Sequence, residues 1–170
     1  MKALLINGSP HPKGCTYTAL EELARTLEAE GIETEIVQAG GRVVCGCTGC
    51  GAPAGDAISF MDRLFYSTGI RNLTMKVGAA VVSCRRGGNT SSFDVLNKYF
   101  TISGMPIASS QYWNMVYGNT PEEVRQDREG LQTMRTLGRN MAFLMKAIQL
   151  GRAQYGLPQP EPPQVTSFHH

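Results

Sequence analysis

The first twenty residues, MKALLINGSPHPKGCTYTAL from Met1 to Leu20, combine a strand, a loop and the start of a helix. The apolar run at 3–6 predicts a buried strand, and the loop after it is rich in glycine and hydroxyl side chains. Such a loop before a helix is typical of phosphate sites, because the first helix amides have no internal partner and the helix dipole favours an anion. The alternative is a turn that binds nothing, in which the hydroxyls are ordinary helix caps.

The composition is that of a single globular domain. The chain has 170 residues, enough for a sizeable core, and its net charge is +2. The basic residues form no run, which argues against nucleic acid or a membrane surface as a partner. The apolar start is too short for a signal peptide or a membrane span, so we expect the protein in the cytoplasm.

Strand and helix patterns alternate along the sequence. We expect strands at 3–7, 32–37, 77–83 and 106–111, and helices at 16–30, 55–67, 93–100 and from Thr120 to Gly151. The last helix opens on a capping box formed by Thr120, Pro121 and Glu123. The alternation predicts an α/β fold of three layers, with helices on both faces of a parallel sheet. We expect this domain at 1–150, followed by a proline-rich extended tail at 151–170.

Two glycine-rich loops, at 9–18 and 83–90, follow predicted strands. Ligands of parallel sheets bind at the carboxyl ends of the strands, where the strand order reverses. We therefore expect the two loops to meet at one site, together with the loop at Tyr112 and Trp113.

The motifs Asn7-Gly-Ser-Pro10 and Gly14-Cys-Thr16 resemble the G-S-P-x-x-x-G-x-T loop of the flavodoxin-like NAD(P)H-dependent FMN reductases, which include the iron–sulfur flavoproteins. Four further segments are similar to one branch of this family and occur in the same order, at 60–66, 83–88, 111–115 and 118–121. The resemblance covers nearly all of residues 1–150. It implies a flavodoxin-like, doubly wound parallel sheet.

The resemblance also implies an FMN whose phosphate lies in the first loop and whose ring lies along the second. The implied cofactor-binding residues are Ser9, His11, Gly14, Cys15, Thr16, Tyr17, Thr18, Arg85, Arg86, Gly87 and Gly88. Family members often have Asn at the position of Cys15, and since a thiol is a poorer hydrogen-bond partner we expect only a backbone contact there. No set of side chains is placed for acid–base or nucleophilic catalysis, which fits an enzyme whose flavin carries the chemistry.

Four side chains near this site have two interpretations each. Arg85 and Arg86 either tune the flavin or meet the phosphates of a nicotinamide cofactor, or they are solvated loop charges. Tyr112 and Trp113 either cover the ring or the nicotinamide slot, or they pack in the core or an interface, which is the commoner role of aromatic residues at a strand exit.

Three of the five cysteines, Cys45, Cys47 and Cys50, have C-x-C-x-x-C spacing. One interpretation is a set of thiolate ligands for an iron–sulfur cluster or zinc. Both sites usually take four ligands, and no fourth cysteine follows nearby, which favours free thiols in a glycine-rich turn.

One departure from the family matters. Its sheet has five strands in the order 2-1-3-4-5, but only a few residues separate Cys50 from the helix at Gly55, whereas a βαβ unit takes roughly thirty residues or more. The third strand is therefore missing, with the helix before it and the loop after it. Either a segment of the natural chain is absent from this sequence, which the close match of the flanks favours, or the deletion is real. In the second case the first and fourth strands pair directly, or a partner chain fills the slot.

The resemblance implies an FMN-dependent oxidoreductase that passes electrons from NAD(P)H to a quinone, free flavin or similar small acceptor, as a homodimer or homotetramer. Two alternatives remain. One is an FMN electron carrier, with or without an iron–sulfur cluster, that has no NAD(P)H turnover of its own. The other is a shortened, non-catalytic flavodoxin-like module that binds a small anion or a partner.

Overall fold

The computed structural model describes residues 1–41, 54–162 and 164–166. Strands and helices alternate in them, which confirms the predicted α/β class. The elements are β1 Lys2–Asn7, α1 Cys15–Ala29, β2 Glu33–Gln38, α2 Ala54–Thr68, β3 Val82–Cys84, α3 Asn89–Ile102, β4 Met115–Tyr117, α4 Pro121–Gln126 and α5 Arg128–Tyr155. A short 3₁₀ helix, Ile70–Leu73, follows α2.

Strands β1 and β2 form a parallel pair in which Lys2 lies opposite Glu33 and Asn7 opposite Gln38. Successive side chains of a strand point to opposite faces, and the inward face of β1 carries Ala3 and Leu5, both buried. These pack against the apolar faces of α1 and α5 in one core cluster, which includes Leu20, Leu23, Leu27, Leu137 and Ala142.

Strands β3 and β4 form a second parallel pair, with Val82 opposite Met115 and an isolated bridge between Gly78 and Ile107. Helices cover both faces of this pair. Just before β3, Ala80 packs with α2 and α3 on one face, and Val81 packs on the other face against the cluster formed with α1 and α5. This two-sided cover is the doubly wound arrangement that the sequence predicts.

No ladder joins the two pairs in the described part of the chain, where β1 pairs with β2 and β3 with β4. The alternative in which β1 pairs directly with the strand after the gap, which is β3, is therefore wrong. Side chains packed on α1 and α5 hold the two sheets together instead. The stretch from Cys50 to Pro53, where the third strand would be missing, lies outside the described residues.

The outward face of β1 is left open by the described residues. Leu4 on this face is 55% exposed, although a central strand of a doubly wound sheet is normally covered on both faces. Next to it Lys2 forms ion pairs with Glu33 and Glu35, at 3.3 and 2.9 Å. This face can hold charged side chains because they remain exposed to water.

The predicted strand at 106–111 is wrong beyond Ala108, because regular pairing resumes only at Met115. Val82, the first residue of β3, lies four residues after Gly78, whereas its partner Met115 lies eight residues after Ile107. The extra residues loop out, and the buried Asn114 closes the loop by donating its Nδ2 to the Ala80 carbonyl oxygen at 3.0 Å. The strand predicted at 77–83 likewise pairs regularly only at 82–84.

The helix predicted from Thr120 to Gly151 is two helices. Thr120 caps α4 as expected, its Oγ1 accepting the Glu123 amide at 3.3 Å. Asp127 then has a non-helical backbone, and it starts α5 because its Oδ1 accepts the Gly130 amide at 2.9 Å. Its Oδ2 accepts the Tyr117 amide at 2.7 Å, which ties the start of α5 to β4.

Helix α5 continues past Gly151, so the prediction that this glycine ends the helix is wrong. It ends at Gly156, whose φ of 74° is one that glycine adopts without strain. The division into a domain at 1–150 and a tail at 151–170 stays a prediction. Within the ranges that the structure describes, no helix is both long and apolar enough to cross a membrane.

We expect Asp127→Ala to lower the free energy of unfolding by about 1–3 kcal/mol, because it removes a helix cap and leaves the Tyr117 amide without its acceptor. Urea denaturation followed by circular dichroism measures the change. The matched control is Asp94→Ala, an exposed aspartate in α3, for which we expect less than about 0.5 kcal/mol. Equal effects of the two variants would contradict this role of Asp127.

Candidate functional site

The loop after β1 is held by a pair of amide side chains. The buried Asn7 accepts the Ser9 amide on Oδ1 at 3.2 Å and donates its Nδ2 to Gln38 Oε1 at 2.6 Å. Gln38 in turn donates its Nε2 to the carbonyl oxygens of Ser9 and Gly40, at 2.6 and 2.9 Å. The ends of β1 and β2 therefore fix the backbone of the loop from two sides.

Gly40 packs directly against this loop. A Cβ atom at Gly40 would lie 2.4 Å from the Gly8 carbonyl oxygen and 2.3 Å from that of Ser9, and both are backbone atoms that cannot rotate away. The position therefore requires glycine because of this close approach.

The N-terminus of α1 points at the loop and fits an anion. Its first intrahelical bond runs from the Thr18 amide to the Gly14 carbonyl oxygen at 3.1 Å, so the amides of 15–17 precede it. Gly14 is the N-cap and has no side chain to satisfy them, and the first turn has no acidic residue. Ser9 Oγ accepts the His11 amide at 3.2 Å, which leaves the hydroxyl proton free to donate to a phosphate oxygen.

Four other predicted site residues lie in the first loop or the first turns of α1, and they differ in burial and hydrogen bonding. Thr16 lies on the first turn of α1, with its hydroxyl toward the second loop. Thr18 is only 3% exposed, and its hydroxyl donates to the Gly14 carbonyl oxygen at 3.3 Å. Tyr17 is half-buried and His11 is exposed. The contacts of these four residues with a cofactor stay predictions.

Cys15 presents its backbone rather than its thiol to the loop. The thiol donates to the Gly118 carbonyl oxygen at 3.5 Å. Burial raises the pKa of the Cys15 thiol, and the nearby carboxylates of Glu123 and Glu122 raise it further, so the thiol is protonated at neutral pH. This arrangement is compatible with the predicted contact through the amide alone.

The second loop, Arg85–Gly88, is exposed along its whole length. Gly88 is the N-cap of α3 with a φ of 87°, and a Cβ at either glycine of the loop would meet nothing within 4 Å. Asn89, only 5% exposed, follows with an unpartnered Nδ2. The space beside the loop is therefore open, as a planar ring lying along it requires.

A hydrogen bond joins the two loops. The hydroxyl oxygens of Thr16 and Ser83 lie 2.8 Å apart, so the start of α1 meets the end of β3. The predicted meeting of these two loops is thus present in the structure, and their meeting with the loop at Tyr112 and Trp113 stays a prediction. Ser83 and Gln38 were not among the predicted site residues, and the only sequence signal for Ser83 was a hydroxyl residue at a strand end before a glycine-rich loop.

Tyr112 and Trp113 do not pack in the core. They are 56% and 51% exposed, and their ring centroids lie 5.0 Å apart. Tyr112 also lines a cavity of about 220 Å³ at the outer edge of β4, together with Tyr117 and Thr133. The interpretation of these aromatic residues as core packing is wrong because they lie on the loop that protrudes before β4, whereas packing in an interface stays a prediction.

Cys45, Cys47 and Cys50 lie outside the described residues. Among the residues that are described, no group of three or more His, Cys, Asp or Glu side chains is placed to bind a metal ion. The metal prediction for the three cysteines therefore stays a prediction.

Residues 1–54 match the family model described as NADPH-dependent FMN reductase. The predicted resemblance to this family is confirmed. The match covers β1, the first loop, α1 and β2, and with the alternating helices and short parallel sheets it supports a flavodoxin-like fold. An iron–sulfur flavoprotein of Methanocaldococcus jannaschii is 27% identical over 195 residues, an alignment that covers 88% of this chain and 100% of that protein. Both matches are thus to proteins whose descriptions name a flavin or a flavoprotein.

The same alignment shows that the relative is longer than this chain over the matched region. It spans 195 positions but includes 88% of the 170 residues, or about 150, so about 45 positions of the relative have no counterpart here. A βαβ unit takes roughly 30 residues or more. The additional residues of the relative are thus numerous enough to form a helix and a strand.

We expect Gly40→Ala to weaken FMN binding by about tenfold or more. The added methyl group displaces the backbone of the phosphate loop, overpacking typically costs about 1–3 kcal/mol, and about 1.4 kcal/mol is a factor of ten in affinity. Quenching of flavin fluorescence gives the dissociation constant.

The matched control is Gly151→Ala. A Cβ there meets nothing within 4 Å, and alanine is the better helix former, so FMN affinity stays unchanged and the free energy of unfolding rises by up to about 1 kcal/mol. Unchanged FMN affinity in Gly40→Ala would show that Gly40 does not support the phosphate loop.

Proposed function

We propose that the protein is an FMN-dependent oxidoreductase that passes electrons from NAD(P)H through bound FMN to a quinone, free flavin or similar small acceptor. The observation that carries the proposal is the bond between Thr16 and Ser83, which brings a helix N-terminus suited to phosphate beside an open glycine-rich loop. The two features are 67 residues apart in sequence, and a site for an elongated cofactor with a phosphate and a ring needs both.

The phosphate end of the site is built by hydroxyls and amides. The hydroxyl groups of Ser9 and Thr16 donate hydrogen bonds to the phosphate. The amides of 15–17 and the positive end of the α1 dipole stabilise its negative charge further. The buried Asn7 and the half-buried Gln38 keep the loop backbone in place without touching the ligand. His11, Gly14, Tyr17 and Thr18 complete the proposed contacts of the first loop.

The second loop serves the ring and the substrates. FMN, when bound, would accept a hydride and pass electrons to the acceptor. The backbone of Gly87 and Gly88 lies beside open space, so a ring can approach it closely. The exposed guanidinium groups of Arg85 and Arg86 are suited to the phosphates of a nicotinamide cofactor. A homodimer or homotetramer and a cytoplasmic location stay predictions.

A second candidate is an FMN electron carrier that also holds an iron–sulfur cluster. It is favoured by the name of the relative, an iron–sulfur flavoprotein, and by the spacing of Cys45, Cys47 and Cys50. Iron and acid-labile sulfide analysis of anaerobically purified protein separates the candidates, because the oxidoreductase proposed first needs neither element.

We expect the purified protein to bind FMN and to oxidise NADPH or NADH with a quinone at a rate above that of free FMN. Thr16→Ala should weaken FMN binding by about 10–100-fold, since a hydrogen bond to a charged group contributes about 1.5–3 kcal/mol. Fluorescence titration measures FMN binding, and the absorbance of the reduced nicotinamide measures its oxidation.

The control for this variant is Thr101→Ala, an exposed threonine whose hydroxyl donates to its own helix at Lys98. Its FMN affinity and turnover should equal those of the unmodified chain. A protein that binds no FMN contradicts the proposed function, whereas FMN binding without nicotinamide oxidation favours the electron carrier.

A further inference from the structure

We infer that Ser83 is a positioning residue that directs the Thr16 hydroxyl toward the cofactor phosphate, and that it thereby strengthens the preference of the site for FMN over riboflavin. This inference rests on the proposed FMN site and goes beyond it, because it assigns part of the discrimination between two flavins to a residue that need not touch either of them.

The geometry places Ser83 for this role. It lies in β3 on the face toward α1, between Val82 and Cys84, and it is partly buried. Its Oγ is 2.8 Å from Thr16 Oγ1, the usual length of a hydrogen bond between two hydroxyls. Thr16 is in the first turn of α1, beside the amides that precede the first intrahelical bond.

Each hydroxyl has one proton and two lone pairs, so without a ligand either residue can be the donor. A phosphate removes this freedom because its ionised oxygens only accept hydrogen bonds. When Thr16 donates to the phosphate, the bond between the two hydroxyls must run from Ser83 to Thr16. The result is an ordered chain from Ser83 through Thr16 to the phosphate, in which each bond polarises the next.

Riboflavin lacks the phosphate and therefore cannot order this chain. Its binding depends on the ring and on the open surface at the second loop, which Ser83→Ala leaves in place. The variant should therefore weaken FMN binding while leaving riboflavin binding nearly unchanged. A merely structural role of Ser83 in β3 would weaken both.

The experiment compares dissociation constants for FMN and riboflavin, measured by flavin fluorescence on the full chain. We expect Ser83→Ala to weaken FMN binding by about 5–10-fold, in line with the loss of one neutral hydrogen bond, and to change riboflavin binding by less than about twofold. Ser83→Thr keeps the hydroxyl on a strand that accepts β-branched residues, so it should restore the preference for FMN. Ser67→Ala, an exposed serine bonded to its own helix, is the control and should alter neither constant.

A double-mutant cycle tests the route through Thr16. In a Thr16→Ala background, Ser83→Ala should add less than about twofold, because the chain is already broken. Equal weakening of both flavins by Ser83→Ala, or a full additional loss in the Thr16→Ala background, overturns the inference while the proposed function stands. If the unmodified chain binds no FMN, both fail together.

Discussion

The packing of α1 across two separate sheets is the constraint on which the rest of the structure depends. Leu20, Leu23 and Leu27 of this helix pack against the β1–β2 pair, and Ala19 packs with Val116, Val124 and Met134 near the second pair. Helix α5 reinforces it through Arg135, which bonds Glu22 at 2.6 Å. Since no ladder joins the sheets in the described residues, side-chain packing sets their relative position. The meeting of the two loops at Thr16 and Ser83 follows from this packing.

The sequence predicts the elements whose signal is local. The β1 strand, the first loop and α1 lie within thirty residues, and their pattern depends on neighbours in the chain. The strand near 106–111 was misplaced because the apolar run at Pro106 resembles a strand, whereas the paired residues are decided by a contact between Asn114 and Ala80 across 34 residues. Gly151 was misjudged because a helix tolerates glycine at a modest cost.

The same distinction holds for the candidate site. The glycine-rich character of both loops could be recognised from the order of their residues, and the resemblance to the FMN reductases supplied the expected role of the second loop along the flavin ring. The pairs Asn7 with Gln38 and Thr16 with Ser83 could not be read from the sequence, because serine, threonine and amide side chains have no pattern that names a distant partner. The thiol of Cys15 is turned toward Gly118, and the contact of its amide with a cofactor stays a prediction.

The carboxylate of Asp127 also has a consequence for the outer edge of β4. Two amides point outward there, and both have partners: the Met115 amide donates to the Trp113 carbonyl oxygen at 2.7 Å, and the Tyr117 amide donates to Asp127 at 2.7 Å. An exposed strand edge usually offers free amides that recruit a strand from another molecule and so begin aggregation. β4 offers none on this side, which makes its outer edge a poor template for intermolecular sheet growth.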